Sequence, residues 1–237
     1  MWSGPRNLST ALMRSFENRS DTTVIDEPFY AHYLLNTGLK HPGRNEIINS
    51  QSHDWNKIVK LCTGSIQSGK SIWYQKHMAQ HNLDGYDISW ITKLKNCILI
   101  RDPKYVISSY SKHHLVQHNE RLLGYVQQIE IIEYLSKVNK EIPLIIDASD
   151  ILKKPEQALK MLCKTLEIDF SNDMLSWPRG SRNTDGVWGT YWYSRVNKST
   201  GFEPLKHKRI KFDRDLIPLY KKCMKHYNFM YKNRLKV

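Results

Sequence analysis

Four short stretches of apolar or β-branched residues each run directly into charged side chains, and this pattern constrains the fold more than any other feature. Each stretch has the length of a strand buried in a sheet. Helix-like segments separate the stretches, which predicts an α/β fold with a three-layer parallel sheet flanked by helices. Ligands bind outside the carboxyl ends of such strands, so the charged groups predict one shared crevice. The stretches are Thr22–Ile25 before Asp26-Glu27-Pro28, Ile72–Gln75 before Lys76-His77, Cys97–Ile100 before Arg101-Asp102-Pro103, and Pro143–Ile146 before Asp147.

The segment Ser3–Thr10 predicts a tight loop that leads into a helix over Ala11–Asn18. The N–H groups at a helix N-terminus and the helix dipole together attract anions, and Arg6 adds a fixed positive charge. The alternative is an ordinary helix that Ser9 caps. A phosphate loop normally follows a strand, and only two residues precede this loop, so we expect the first strand to be missing or truncated.

A second candidate phosphate loop lies at Gly64–Ser71, which matches the pattern G-x-x-x-x-G-K-[ST] letter for letter. That loop requires a helix directly after it. The residues that follow, Ile72–Gln75, are bulky and β-prone, so we interpret the match as a turn between two elements. The match leaves open an ATP-dependent small-molecule kinase or NTPase, with Asp147 as its magnesium ligand.

The chain has 237 residues, and its 36 Lys and Arg against 23 Asp and Glu give a net charge of +13, which predicts an anionic partner. We expect no nucleic acid, because no helix-turn-helix, zinc or RNA-recognition signature accompanies the charge. Four widely spaced cysteines form no metal pattern, so we expect no metal. We expect one domain over residues 1–237 that ends in a basic helix at about 213–231. Without a signal peptide or a long apolar run, we expect a cytoplasmic protein with no transmembrane segment.

The segment Arg101–Tyr110 resembles the 3′-phosphate motif of sulfotransferases that use 3′-phosphoadenosine 5′-phosphosulfate (PAPS). In that family an Arg closes a strand and a Ser follows eight positions later in the next helix, as Arg101 and Ser109 do here. The strand end fixes the guanidinium, and the helix brings a hydroxyl to the same phosphate. The resemblance implies a P-loop nucleoside triphosphate hydrolase-like fold of the sulfotransferase type, with PAPS as co-substrate.

Further segments resemble parts of this family in the same order, from residue 3 to about 202. Ser3–Thr10 is similar to the 5′-phosphosulfate loop, Lys76-His77 to a Lys-x-His at the end of the third strand, and Gly186–Phe202 to a late loop that closes over the cofactor. The resemblance implies the following cofactor-binding residues: Gly4, Arg6, Asn7, Ser9, Thr10, Arg101, Ser109, Arg182 and Trp188.

Two departures from the family pattern affect the site. Asn7-Leu8 stands where the family usually has Ser-Gly, and the bulky Leu8 restricts the approach of the backbone to phosphate. Lys76 and His77 are adjacent, whereas the family separates them by one residue. Adjacent residues of a strand point to opposite faces, so we expect only one of the two to line the site.

Sulfuryl transfer requires a cation near the bridging oxygen and a base for the acceptor proton. Arg6 is the first candidate for the cation, and Lys76 is the second. Glu27 and His77 are both candidate bases, and the Lys-His spacing favours Glu27 slightly. The predicted reaction is in-line transfer to a hydroxyl or amine of a small molecule, glycan or lipid. A non-catalytic nucleotide-binding relative remains a further alternative.

Overall fold

A parallel sheet with helices on both faces forms the centre of the protein. The computed structural model describes residues 1–66, 69–110, 119–204 and 213–237. In this part of the chain five strands pair in parallel in the order β2-β3-β1-β4-β5, which confirms the predicted fold class. The strands are β1 Trp2–Ser3, β2 Thr22–Asp26, β3 Ile72–Met78, β4 Cys97–Ile100 and β5 Leu144–Asp147.

Helices follow the strands and form the two outer layers. They are α1 Ser9–Glu17, α2 Tyr30–Thr37, α3 Arg44–Ser50, α4 Trp55–Cys62, α5 Pro103–Tyr110, α6 Tyr125–Asn139, α7 Ala148–Lys153, α8 Pro155–Leu166, α9 Gly189–Trp192 and α10 Ile217–Lys232. None of the described helices is long and apolar enough to cross a membrane.

The alternation of side chains along β4 divides the core into two layers. Ile98 and Ile100 pack into an apolar cluster with residues of α5, α6 and α10. Cys97 and Leu99 point the other way, into a cluster with residues of α1, α7 and α8. All four side chains are buried. A strand that is buried on both faces reads as a continuous apolar run, which is why the sequence identifies β4 clearly.

The first strand consists of Trp2 and Ser3 alone, and it occupies the middle of the sheet between β3 and β4. The ammonium group of Met1 donates a hydrogen bond of 2.8 Å to the carbonyl oxygen of Gln75. Burial lowers the pKa of this ammonium to about 6. The loop that follows β1 begins at the carboxyl edge of the sheet, next to the ends of β3 and β4.

Two elements differ from the expectations, and a third helix was not predicted. The helix that was expected from Ala11 begins at Ser9, after Leu8, and Leu8 makes no side-chain cap, so the capping role considered for Ser9 is wrong. The expected C-terminal helix from 213 begins at Ile217, after one 3₁₀ turn. A polar stretch between α2 and α4 contains the helix α3, because Ile47 is fully buried beneath it.

Candidate active site

A cleft of about 490 Å³ opens at the carboxyl ends of the strands. The charged residues at the strand ends predict a crevice in this place. Four parts of the chain surround it: the loop after β1, the ends of β2 and β3, helix α5, and the segment after α9. The residues that line the cleft include Arg6, Leu8, Ser9, Thr10, Glu27, Tyr30, His41, Lys76, Gln80, His81, Arg101, Ser109, Tyr193, Arg195 and Glu203.

The loop after β1 leads into α1 through two residues in the left-handed region. The φ angles are 63° at Arg6 and 74° at Leu8. The side chain of Leu8 packs against the cluster between the sheet and α1. Because α1 has no side-chain cap, its first N–H groups are available to a ligand, together with the hydroxyls of Ser9 and Thr10. Leu8 thus occupies a glycine-like conformation in the loop that was predicted to bind an anion.

Arg6, Arg101 and Ser109 meet beside this loop, although about a hundred residues separate Arg6 from the other two. Nε of Arg6 donates a hydrogen bond of 2.9 Å to Oγ of Ser109. A guanidinium N–H of Arg101 donates one of 2.6 Å to the backbone carbonyl of Arg6. The structure therefore brings the two halves of the predicted phosphate motif and the predicted cation into one place.

Burial lowers the pKa of both Arg6 and Arg101, and the nearby Arg195 lowers each further. Neither Arg6 nor Arg101 forms an ion pair with a described carboxylate, whereas Arg195 pairs with Glu203 at 2.6 Å. A partly buried charge without a counter-charge is unfavourable, and an anion that binds between Arg6 and Arg101 would relieve this cost. Sequence reasoning left Arg195 out of the site, since it lies in a long segment without periodicity.

Lys76 stands at the other end of the cleft in a buried cluster with two carboxylates. Its Nζ lies 2.8 Å from Oδ1 of Asp26, 2.5 Å from Oε1 of Glu27 and 2.7 Å from the hydroxyl of Tyr193. Burial opposes the charge of Lys76, but the two carboxylates together raise its pKa above the ordinary value. Parallel pairing of β2 with β3 sets Asp26 opposite Lys76 and creates the cluster.

Of the two carboxylates in this cluster, Glu27 lines the cleft and Asp26 does not. Burial raises the pKa of Glu27 to about 7, Lys76 opposes this rise, and the charge of Asp26 adds to it. The backbone φ of Glu27 is 40°, in the left-handed region. Strained conformations of this kind persist where surrounding contacts fix them, and they concentrate at functional sites. Glu27 thus has the burial and the pKa of a group that exchanges protons near neutral pH.

His77, the other candidate base, lies outside the cleft. Its ring stacks on Trp2 at 4.4 Å between centroids and hydrogen-bonds the side chain of Gln75 at 3.0 Å. Burial holds the pKa of His77 well below its usual range. The alternation of β3 explains this placement, because Lys76 points to the cleft and His77 to the opposite face.

Three predicted cofactor residues do not line the cleft. Arg182 donates to the backbone carbonyls of its own segment, at residues 178, 180 and 181. Trp188 is 1% exposed and donates its indole N–H to Tyr193. Gly4 packs against the backbone carbonyl of Leu123, where no side chain fits. All three hold the walls of the site in place and do not face its interior.

Aromatic and neutral histidine side chains form the wall next to Glu27. The hydroxyl of Tyr30 and Nδ1 of His41 are 2.8 Å apart. The ring of His81 stacks on that of Tyr30 at 4.8 Å. Burial lowers the pKa of His41 to about 4 and holds that of His81 well below its usual range, so both are neutral at pH 7. Nδ1 of His81 and Oε1 of Gln80 are buried without a hydrogen-bond partner among the described residues.

The second candidate phosphate loop, Gly64–Ser71, has the wrong neighbours for this role. Helix α4 precedes it and strand β3 follows it, whereas a phosphate loop connects a strand to a helix. Lys70 donates to the backbone carbonyl of Ser20 on the surface. Residues 67 and 68 of the segment lie outside the described part. Asp147, the proposed magnesium ligand, is fully buried and accepts a hydrogen bond from Tyr227. Among the described residues, no group of three or more His, Cys, Asp or Glu could hold a metal ion.

Comparisons with known proteins identify the family. A model described as a sulfotransferase domain matches residues 1–234. The chain belongs to this sulfotransferase family. Two solved structures share its fold: the sulfotransferase domain from the curacin biosynthetic pathway and a sulfotransferase from Alicyclobacillus acidocaldarius. The first has a TM-score of 0.55 and 17% identity and covers 97% of this chain and 95% of its own. The second has a TM-score of 0.52 and 14% identity and covers 100% and 95%.

Two curated relatives from Arabidopsis thaliana are more similar in sequence. Branched-chain-amino-acid aminotransferase-like protein 1 is 39% identical over 210 residues, which cover 88% of this chain and 37% of that protein. Branched-chain-amino-acid aminotransferase-like protein 2 is 35% identical over 230 residues, which cover 97% and 40%. The chain thus spans about two fifths of the length of these relatives.

Proposed function

We propose that this protein transfers the sulfuryl group of PAPS to a hydroxyl or amine of an uncharged small-molecule acceptor. One observation carries the proposal: two half-buried arginines without carboxylate partners among the described residues, Arg6 and Arg101, line the same cleft as a lysine-bound carboxylate with a pKa near neutrality. The first group suits a nucleotide with several phosphates. The second suits an acceptor that must lose a proton.

The nucleotide end of the cleft comprises Arg101, Ser109, Arg6 and the start of α1. In the proposal Arg101 and Ser109 bind the 3′-phosphate, as the resemblance implies. The N-terminus of α1 with Ser9 and Thr10 binds the 5′-phosphosulfate. Arg6 stands between the two groups and places its positive charge near the oxygen that leaves with the 5′-phosphate. Arg195 adds a third cation at the rim.

In the proposed reaction Glu27 accepts the proton of the acceptor while the acceptor oxygen or nitrogen bonds to sulfur. The bond between sulfur and the bridging oxygen breaks, and the electron pair leaves with 3′-phosphoadenosine 5′-phosphate (PAP). The arginines neutralise the charge that develops on this leaving group. The neutral wall of Tyr30, His41 and His81 supports an uncharged acceptor, because this wall contains no cationic side chain among the described residues to bind an acidic one.

The test follows label from [35S]PAPS into three probes that carry the predicted acceptor groups: 4-nitrophenol, octyl glucoside and glucosamine. We expect transfer to at least one probe and a loss of about 10²-fold or more in Glu27→Gln, since that variant cannot accept the proton. Glu156→Gln, at the surface of α8, is the matched loss of a carboxylate and keeps the wild-type rate. Label transfer that persists in Glu27→Gln would contradict the role of Glu27, and absence of transfer to every probe would contradict the proposed activity.

A further inference from the structure

The ammonium group of Lys76 donates all of its hydrogen bonds to acceptors inside the protein. The proposed reaction does not explain this arrangement. An ammonium group has three N–H donors. Those of Lys76 have three acceptors within 2.8 Å, on Asp26, Glu27 and Tyr193. Its side chain is 1% exposed. No donor remains for a phosphate or sulfate group in the cleft.

The hydroxyl of Tyr193 is equally saturated, and its neighbours fix the direction of its proton. Nζ of Lys76 and Nε1 of Trp188 both donate to it, at 2.7 and 3.0 Å. Its own proton must therefore go to Oδ2 of Asp26, at 2.6 Å. Asp26 accepts from Lys76 on its other oxygen, and the N–H of Gly186 lies 3.3 Å from Oδ2.

Asp26 and Glu27 thus share one ammonium group, and only Glu27 lines the cleft. The more firmly Asp26 holds Lys76, the less of the positive charge stabilises ionised Glu27. Tyr193 controls this balance, because its hydroxyl stabilises ionised Asp26 with a hydrogen bond and also accepts one from Lys76. It lies far along the chain from both carboxylates, next to α9.

We propose that Lys76, Asp26 and Tyr193 are positioning residues that fix the Glu27 carboxylate, decide at which pH it accepts a proton, and make no contact with the nucleotide. The inference rests on the proposed function only in one respect, which is that the proton Glu27 accepts comes from the sulfate acceptor. It differs from the expectation that Lys76 is a second cation for the leaving group, since all three of its donors are engaged in the cluster.

Five charged or titratable groups of the described residues face Glu27. Asp26 comes from β2 and Lys76 from β3. His81 follows β3, with its Nε2 at 3.9 Å from Oε2 of Glu27. Tyr193 follows α9 and Tyr30 opens α2. The ring of His81 is neutral at pH 7 and the two tyrosines keep their protons, so the sharing of Lys76 sets the balance.

The inference predicts opposite effects for two substitutions. Asp26→Asn removes the competing negative charge and leaves Lys76 to Glu27, so the titration midpoint of Glu27 falls by about one pH unit or more, a tenfold change in proton affinity. Tyr193→Phe removes a donor from Asp26, which then holds Lys76 more firmly. The midpoint of Glu27 rises by about half a unit, or roughly threefold.

The experiment is a carbon-13 NMR titration of the full chain with labelled glutamate carboxyl groups, in which the Glu27→Gln spectrum identifies the Glu27 signal. For the wild type we expect a midpoint near the pKa of about 7. Tyr227→Phe is the matched control: it deletes the hydrogen bond of 2.8 Å between a buried tyrosine and Asp147, away from the cleft. It should leave the midpoint of Glu27 unchanged.

PAP binding, measured by calorimetry, completes the test. The affinity for PAP should stay within about threefold of wild type in Asp26→Asn and in Lys76→Met, because Lys76 does not contact the nucleotide. If Lys76→Met does not fold, Asp26→Asn and Tyr193→Phe still decide the matter. A tenfold loss of PAP affinity in Asp26→Asn or in Lys76→Met would overturn the inference. So would a titration midpoint of Glu27 that does not move in Asp26→Asn and Tyr193→Phe, or that moves in the same direction in both. A chain with these midpoints that transfers no sulfate would contradict only the proposed function.

Discussion

Replacing Glu27 by Gln should change how the stability of the protein depends on pH. The pKa of Glu27 rises from an ordinary value of 4.5 to about 7 on folding, with burial as the largest cause. The folded protein therefore binds this proton more tightly than the unfolded chain does. The stabilising contribution of protonated Glu27 is fully present below pH 4.5 and is lost as the pH rises through 7.

The difference of about 2.5 pH units, at about 1.4 kcal/mol per unit, corresponds to roughly 3–4 kcal/mol as an upper value. Glu27→Gln cannot lose this proton. Between pH 4.5 and pH 8 the variant should thus gain up to about 3–4 kcal/mol in unfolding free energy relative to wild type.

The assay is urea unfolding at several pH values, followed by tryptophan fluorescence and extrapolated to water. Glu156→Gln, on the exposed part of α8, is the control for loss of a carboxyl group, and its curve should run parallel to that of the wild type. A constant difference between Glu27→Gln and wild type from pH 4.5 to pH 8 would refute the reasoning.

Two further substitutions test buried contacts near the cleft, and a third tests the second candidate phosphate loop. Arg14→Ala should destabilise the protein by about 3–5 kcal/mol in the same unfolding assay, because it leaves the buried Asp185, its partner at 2.6 Å, without a counter-charge; a change below 1 kcal/mol would contradict this. Gly4→Ala should cost about 1–3 kcal/mol, since the added methyl group meets the carbonyl of Leu123, and a neutral effect on the melting temperature would count against that packing. Lys70→Ala should change stability by less than about 0.5 kcal/mol and leave nucleotide affinity unchanged; a loss of affinity would indicate that Gly64–Ser71 binds the nucleotide.

The sequence predicts the parts of the structure that local patterns determine. Strand β4 is buried on both faces, so its apolar run and the Arg101 that closes it are readable in one dimension. The alternation of β3 separates Lys76 from His77 in the same way, and this separation favours Glu27 over His77 as the base. The spacing of Arg101 and Ser109 is also a local pattern, because Arg101 follows the end of β4 and Ser109 lies in the next helix, α5.

The features of the site that the sequence does not reveal are those that depend on which strands are neighbours in the sheet. The pairing of Asp26 with Lys76 requires β2 and β3 to be adjacent in register, and no local pattern encodes the order of strands. Helix α3 is missed for a related reason: it has one fully buried residue, Ile47, and it forms by packing on α2.

The segment from residue 177 to 204 lacks a regular period, so its basic and aromatic residues look equivalent in the sequence. Folding distinguishes them. Arg182 turns to nearby backbone carbonyls, whereas Arg195 reaches the cleft. Trp188 is buried behind the hydroxyl of Tyr193, which contacts Lys76 and Asp26. The signal that could have found Tyr193 is the need of two buried carboxylates for additional donors.

The most direct test of the central claim is a thermal-shift titration of wild type and Arg101→Ala with PAP, and separately with ATP and magnesium. A ligand at about 100 times its Kd adds roughly 2.7 kcal/mol of stability, which produces a clear rise in Tm. The account predicts stabilisation of the wild type by PAP and loss of that stabilisation in Arg101→Ala. Stabilisation by ATP and magnesium alone, unchanged in Arg101→Ala, would contradict it.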